Sequence, residues 1–140
     1  MKFFKLTTFL VAAAFAQSVS AQTDGGRLGV VVQPEPPGLM LGLVQNGPTQ
    51  MVAGQIYEGL LRYNSDLEPQ PSLAKSWEIS EDGMTYTFHL NEGVTWHDGE
   101  PFTSADVLFT TEFLKDSHAR FRASFSHVEG IETPDDLTVI

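Results

Sequence analysis

Between residues 76 and 114 the spacing of apolar positions changes period, and each change falls on a turn signal. Met84, Tyr86, Phe88 and Leu90 alternate with Thr85, Thr87 and His89, which predicts a strand with the first set on a buried face. Asp82-Gly83 separates this run from an earlier strand-like one, and a glycine there supplies the positive φ of a tight hairpin. After Asn91-Glu92-Gly93 the alternation resumes at Val94, Thr95 and Trp96, until His97-Asp98-Gly99-Glu100-Pro101 breaks it. The order is that of a meander, not of a βαβ unit. The period then lengthens. Thr103 is a good N-cap with Asp106 at the capping-box position, and Ala105, Leu108, Phe109 and Phe113 form one stripe expected to face the sheet.

Upstream, residues 28–32 are a short apolar run suited to a buried first strand. Pro34, Pro36 and Pro37 forbid its continuation as a central strand, and residues 39–44 leave helix and extended loop both open. Gln45-Asn46-Gly47-Pro48 reads as an exposed loop, after which Thr49 is placed to cap a helix over residues 49–58. Leu61-Arg62-Tyr63 looks extended and Asn64-Ser65-Asp66 a turn. Pro69 and Pro71 are expected to keep the next segment out of regular structure, and residues 72–75 to form one helical turn. Downstream, residues 118–126 read as irregular chain anchored by Phe121 and Phe125. Residues 128–131 and 137–140 are the last expected strands, separated by the turn Thr133-Pro134-Asp135-Asp136. The final run is β-branched with no polar tail, and it looks cut in mid-strand.

The first residues carry an address. Lys2 and Lys5 precede an apolar run over residues 6–16, followed by Val19-Ser20-Ala21, the pattern of a cleavable secretory signal peptide with cleavage after Ala21. The run is well short of the roughly 20 residues that span a bilayer as a helix. Export is therefore expected. With no cysteine, neither a lipid-attachment site nor a disulfide framework can form. Without Lys2 and Lys5, the 8 basic residues become 6 against 18 acidic, a formal balance of −12. Scattered cations and strong net acidity argue against nucleic acid as a partner.

Few residues suggest chemistry. His97-Asp98 places an imidazole beside a carboxylate, but neighbours on a strand point to opposite faces, so a turn-stabilising role is the expectation. His89, His118 and His127 have no metal-ligand spacing, no serine lies in a Gly-x-Ser-x-Gly elbow, and neither metal nor cofactor is expected. Trp77, Trp96, Tyr86 and Phe88 alternate with polar residues and read as core before they read as a stacking platform.

Several segments together match a family pattern: Ser72-Leu73-Ala74, Ser76-Trp77-Glu78, Ser80-Glu81-Asp82-Gly83, Thr85-Tyr86-Thr87-Phe88-His89-Leu90, Trp96-His97-Asp98-Gly99, and Pro101-Phe102-Thr103 with Ala105-Asp106-Val107. Tyr57-Glu58-Gly59-Leu60-Leu61 extends the match, which runs over residues 28–140. Asn91 departs from the basic residue usual there. The chain resembles the extracellular solute-binding proteins of family 5, the periplasmic receptors of oligopeptide and dipeptide ABC importers.

That resemblance implies an α/β fold, the N-terminal portion of a type II, venus-flytrap periplasmic-binding protein, with a mixed sheet meander, packed helices and the second lobe absent. It implies a signal peptide over 1–21, a first segment of the ligand-binding lobe over 22–57, and the family's extra α/β domain over 58–140, truncated at its end. The partners implied are a small peptide or similar solute and the ABC permease subunits of the inner membrane, with the receptor a monomer and without catalysis. In the family the loop before the Tyr-Glu-Gly-Leu segment pairs its backbone with a bound peptide, which here points to Gln45, Asn46 and Gly47. Nickel, haem, opine and sugar-like solutes are alternatives within the family. A secreted hydrolase using His97, Asp98 or Asp135-Asp136 is the alternative outside it.

Overall fold

The computed structural model describes residues 25–44 and 46–140. The expected signal peptide over 1–21 lies outside the described residues, as does Gln45. Contacts divide the chain into two units, Met1–Val31 and Val32–Ile140. In the first, residues 25–31 hold no helix or strand, and Leu28, Val30 and Val31 are exposed. The strand expected over 28–32 is therefore not formed. An apolar run becomes a strand only when a neighbour completes its ladder, and no described residue pairs with this one.

The second unit opens with a turn in which the amides of Leu43 and Val44 both donate to the Met40 carbonyl. Helix α1, Gly47–Ala53, starts and ends earlier than expected. Its N-cap is Asn46 rather than Thr49: Asn46 Oδ1 accepts from the Thr49 amide at 2.8 Å, and Pro48 occupies the first turn, where a missing donor is harmless. Thr49 is buried, its hydroxyl donating to the Gly38 carbonyl at 2.9 Å. Strand β1, Leu61–Tyr63, pairs antiparallel with β2, Pro69–Pro71. The second of these was not expected, because proline lacks a ladder donor. Two prolines two residues apart, however, present the same edge, so both sit at non-bonded positions and Gln70 opposite Arg62 carries the ladder. Between the strands Asn64 Oδ1 accepts from the amides of Asp66 and Glu68, giving the expected turn.

Strand β3, Ala74–Ile79, begins where a helical turn was expected, because Leu73 and Ala74 donate to the carbonyls of Gly59 and Leu60 and are already extended. Its antiparallel partner β4, Tyr86–Leu90, closes the predicted hairpin, with Gly83 at φ 71 in the turn. Asp82 Oδ1 accepts from the Ser80 hydroxyl and the Met84 amide. Burial grades along β4 rather than alternating: Met84 before it is 80% exposed, Tyr86 is exposed, and only Leu90 is fully buried.

The meander is discontinuous. Residues 94–96 contribute a single bridge, Thr95 to Pro101, and the third strand is β5, Thr138–Val139, pairing Phe88 with Val139 and His89 with Thr138. Residues 128–131 form no strand, though Glu132 and Ile140 exchange two backbone bonds of 2.8 Å.

Helix α2, Ser104–Ser117, starts at the predicted capping box: Asp106 Oδ2 accepts from the Thr103 amide at 2.7 Å and from its hydroxyl at 3.2 Å. Its inner face is not the expected one. Ser104 and Thr111 are the buried positions, with Val107 packed on the core, while Ala105 and Phe109 are exposed. Hydroxyls can take core positions when they are satisfied, and Ser104 Oγ donates to the Asp135 carbonyl at 2.6 Å while Thr111 Oγ1 donates to that of Val107 at 2.8 Å. The segment expected to be irregular is helix α3, Ala119–Ser124, capped by His118 Nδ1 accepting from the Phe121 amide at 3.0 Å. The core joins β3, β4, β5 and the entry to α2 through Ala74, Leu90, Val139 and Phe102.

Candidate functional site

Of the three residues implied for ligand contact, Asn46 and Gly47 are described, and Gln45 lies outside. Asn46 is in the β region, at φ −119 and ψ 161, and both of its acceptors serve α1: Oδ1 takes the Thr49 amide, and the backbone carbonyl takes that of Gln50 at 3.0 Å. Gly47 differs. It is the first residue of the helix, whose amide has no partner within the helix, it is exposed, and a Cβ built on it would meet nothing within 4 Å. The Thr49 hydroxyl bond to Gly38 fixes the loop from below. Among the described residues, this corner presents an exposed backbone donor at the head of α1.

Of the residues that suggested catalysis, the carboxylates of Asp98 and Asp135 are committed to turns. Asp98 Oδ1 accepts from the Glu100 amide at 3.1 Å, the Trp96 amide donates to the Glu100 carbonyl at 2.8 Å, and Gly99 holds φ 93. Asp135 Oδ1 accepts from the Leu137 amide at 2.8 Å, a bond that, with that of the Thr138 hydroxyl, holds its carboxyl below the usual carboxylate range. The carbonyl of Asp136 takes the Ser104 amide at 2.8 Å. Among the described residues no group of three or more His, Asp or Glu is placed to hold a metal ion.

A second feature escaped sequence reasoning. A cleft of about 580 Å³ runs between the turn at residues 40–42, residues 56–60, the loop at 94–97 and helices α2 and α3. Its walls are aromatic. Phe109 and Phe113 stack at 6.3 Å, Phe121 and Phe125 at 4.0 Å, and Trp96 meets Phe102 edge-on at 5.7 Å. The signal was present as two phenylalanine pairs at i, i+4 spacing, which share a helix face. Of the four aromatics first weighed as stacking candidates only Trp96 lines the cleft, and it is 39% exposed.

Comparison with known proteins locates this segment. Residues 68–140 match the family described as bacterial extracellular solute-binding proteins, family 5, middle region. The Escherichia coli dipeptide-binding protein is 34% identical over an alignment covering 97% of this chain and 27% of that protein. Among solved structures, the A. tumefaciens binding protein AgaA in complex with agropinic acid shares 38% identity, with a TM-score of 0.69 over 75% of this chain and 22% of that one. Haemophilus influenzae OppA in complex with RPPGFSPFR shares 29%, with a TM-score of 0.64 over 75% and 24%. The chain thus spans about a quarter of the length of these proteins, and its mixed α/β fold is that of part of a periplasmic binding protein. It belongs to the bacterial extracellular solute-binding proteins of family 5.

Proposed function

We propose that the chain is part of the periplasmic substrate-binding component of an ABC importer, taking di- or oligopeptides or a similar small solute and performing no chemistry on it. The observation that carries this reading is the match to the dipeptide-binding protein of Escherichia coli across 97% of the chain. In this reading residues 1–21 are a signal peptide, 22–57 open the ligand-binding lobe, and 58–140 belong to an extra domain. Affinity comes from closure of two lobes about a hinge, and the loaded receptor, a monomer, delivers its solute to the permease subunits.

Gln45, Asn46 and Gly47 supply backbone contacts to a peptide bound as a strand would be. The exposed position of Gly47, whose amide has no partner within α1, supports this role. The substitution Gly47→Pro removes that donor at a helix position where proline is tolerated. In a protein of the relatives' length, calorimetry with di- to pentapeptides should show binding that weakens about tenfold in the variant, as one lost hydrogen bond predicts. Unchanged affinity in a folded variant removes the loop from the site. Cleaved peptide after incubation sinks the receptor reading in favour of a hydrolase, while the 140-residue chain alone should bind no peptide.

A second reading rests on the agropinic acid complex, whose protein is 38% identical over the shared segment. A same-family receptor for an opine, or for a nickel, haem or sugar-like solute, would show no calorimetric response to peptides and a response to its own solute class.

A further inference from the structure

The aromatic cleft has the size of a ligand pocket, which typically measures about 300–1,000 Å³, and its chemistry is wrong for a peptide. A peptide buried there would need partners for its amides and carbonyls. Many of the backbone groups of the wall are already engaged within the protein. The amides of Ile56 and Tyr57 donate to Ala53, the carbonyls of Gly59 and Leu60 accept from Leu73 and Ala74, and that of Val94 accepts from Phe102. The Thr111 hydroxyl is bonded to Val107. Apart from a few polar side chains at Glu58, Thr95, His97 and Thr110, what remains is carbon surface held open to water: Phe109 is 68% exposed, Met40 45% and Tyr57 44%.

Apolar surface on this scale in one concavity marks an interface. We propose that the cleft is an internal seam of a longer polypeptide, filled by apolar side chains of a further segment of the same chain and not by solute. The occupant follows from length: the Escherichia coli relative is matched over only 27% of its residues, and the solved relatives over 22% and 24% of theirs. Those molecules carry three-quarters of their chain beyond the segment in which this cleft lies. A same-chain occupant also needs no unpaired donors or acceptors in the wall, since helices and strands satisfy their own backbone. The seam is independent of which solute is bound.

The absence of cysteine makes the test direct. Phe109→Cys places a reporter thiol in the cleft, and Met84→Cys, at a position 80% exposed, provides a control outside it. Both are made in the 140-residue chain and in the longest reading frame that contains it, and labelled with a thiol reagent. In the short chain the two positions should label at similar rates. In the longer protein position 109 should label at least about tenfold more slowly than position 84, through local opening only. Equal rates in the longer protein, or a frame that closes at codon 140, overturn the proposal. So does protection that appears only with added peptide, which makes the cleft a solute site, or concentration-dependent protection of the short chain, which makes it a contact between copies. Because labelling is read without solute, a receptor that binds no peptide still shows whether the seam is filled.

Discussion

Leu90 holds together the part of the second unit where three elements converge. It is fully buried at the end of β4, paired with Ala74 across the hairpin, and its amide donates to the Leu137 carbonyl at 2.8 Å. Leu90→Ala removes about three carbons, worth about 2.4 kcal/mol at about 0.8 kcal/mol each. The cavity adds to that, because Ala74 is too short to refill the space and Phe102 and Val139 are fixed by α2 and β5; the expected loss is about 3–5 kcal/mol. A domain of this size has about 5–15 kcal/mol in all, so the variant loses at least about a fifth of its stability and at the low end all of it. Urea unfolding followed by the fluorescence of Trp77 and Trp96 reads this as a midpoint lowered by about 1–5 M, at an m of about 1–3 kcal/mol/M. Leu90→Val, which removes about one carbon, should cost about 1 kcal/mol and remains measurable if the alanine variant does not fold. Met84→Ala, from the same predicted face but exposed, should change stability by less than about 0.5 kcal/mol. Comparable losses at 84 and 90 would refute the graded burial of this strand, and with it the position of the core.

Two further outcomes follow from close contacts and from charge. A Cβ on Gly42 would stand 2.9 Å from Leu114 Cδ2 and 3.1 Å from Phe113 Cε1, a ring stacked on Phe109. Gly42→Val should therefore destabilise by about 1–3 kcal/mol, and Leu114→Ala should recover part of that loss in a double-mutant cycle of urea midpoints. Asp82 is held below the usual carboxylate range by the Ser80 hydroxyl first and the Met84 amide second, and Asp135 by the Leu137 amide first. A group with a lowered folded value contributes stability above its unfolded value, about 3.9 for Asp, and loses it as pH falls through the folded one. Melting temperature should fall below about pH 4, and Asp82→Asn should flatten that acid limb; an unchanged slope would mean that the Ser80–Asp82 turn is not formed in solution.

What the sequence reveals of this fold is what neighbouring residues decide among themselves. Asp82-Gly83 specifies its hairpin because only a few residues tolerate φ 71, and Thr103 with Asp106 closes a capping box within four residues. The errors lie where a distant partner decides. Residues 28–32 have strand chemistry but no described partner, while Pro69–Pro71 has poor strand chemistry and a partner whose register spares its prolines. The third strand of the main sheet comes from Thr138–Val139, not from the nearer Val94 and Trp96, because pairing with Phe88 and His89 is set by the packing of the intervening helix. On α2 the inner face holds Ser104 and Thr111, whose hydroxyls find carbonyl partners that no hydrophobic pattern encodes. Of the site, the Asn46-Gly47 corner is legible as a turn dipeptide. The cleft is not, since it exists only once four separate segments are brought together.

The Trp96-His97-Asp98-Gly99 segment identifies the family and yet performs structural work. Trp96 packs edge-on against Phe102, Asp98 holds the Glu100 amide, Gly99 makes the reversal, and the Phe102 amide returns to Val94, delivering the chain to the Thr103 cap. The loop is the joint that fixes α2 against the hairpin. The shared fold also spans a protein complexed with RPPGFSPFR and another complexed with agropinic acid, ligands with little chemistry in common. A joint built from a backbone reversal and an aromatic contact offers no group with which to tell one such solute from the other. In the proposed reading selection rests on groups outside this joint, and the exposed Gly47 amide, which would recognise any carbonyl or carboxylate oxygen, is suited to holding a solute rather than to choosing it.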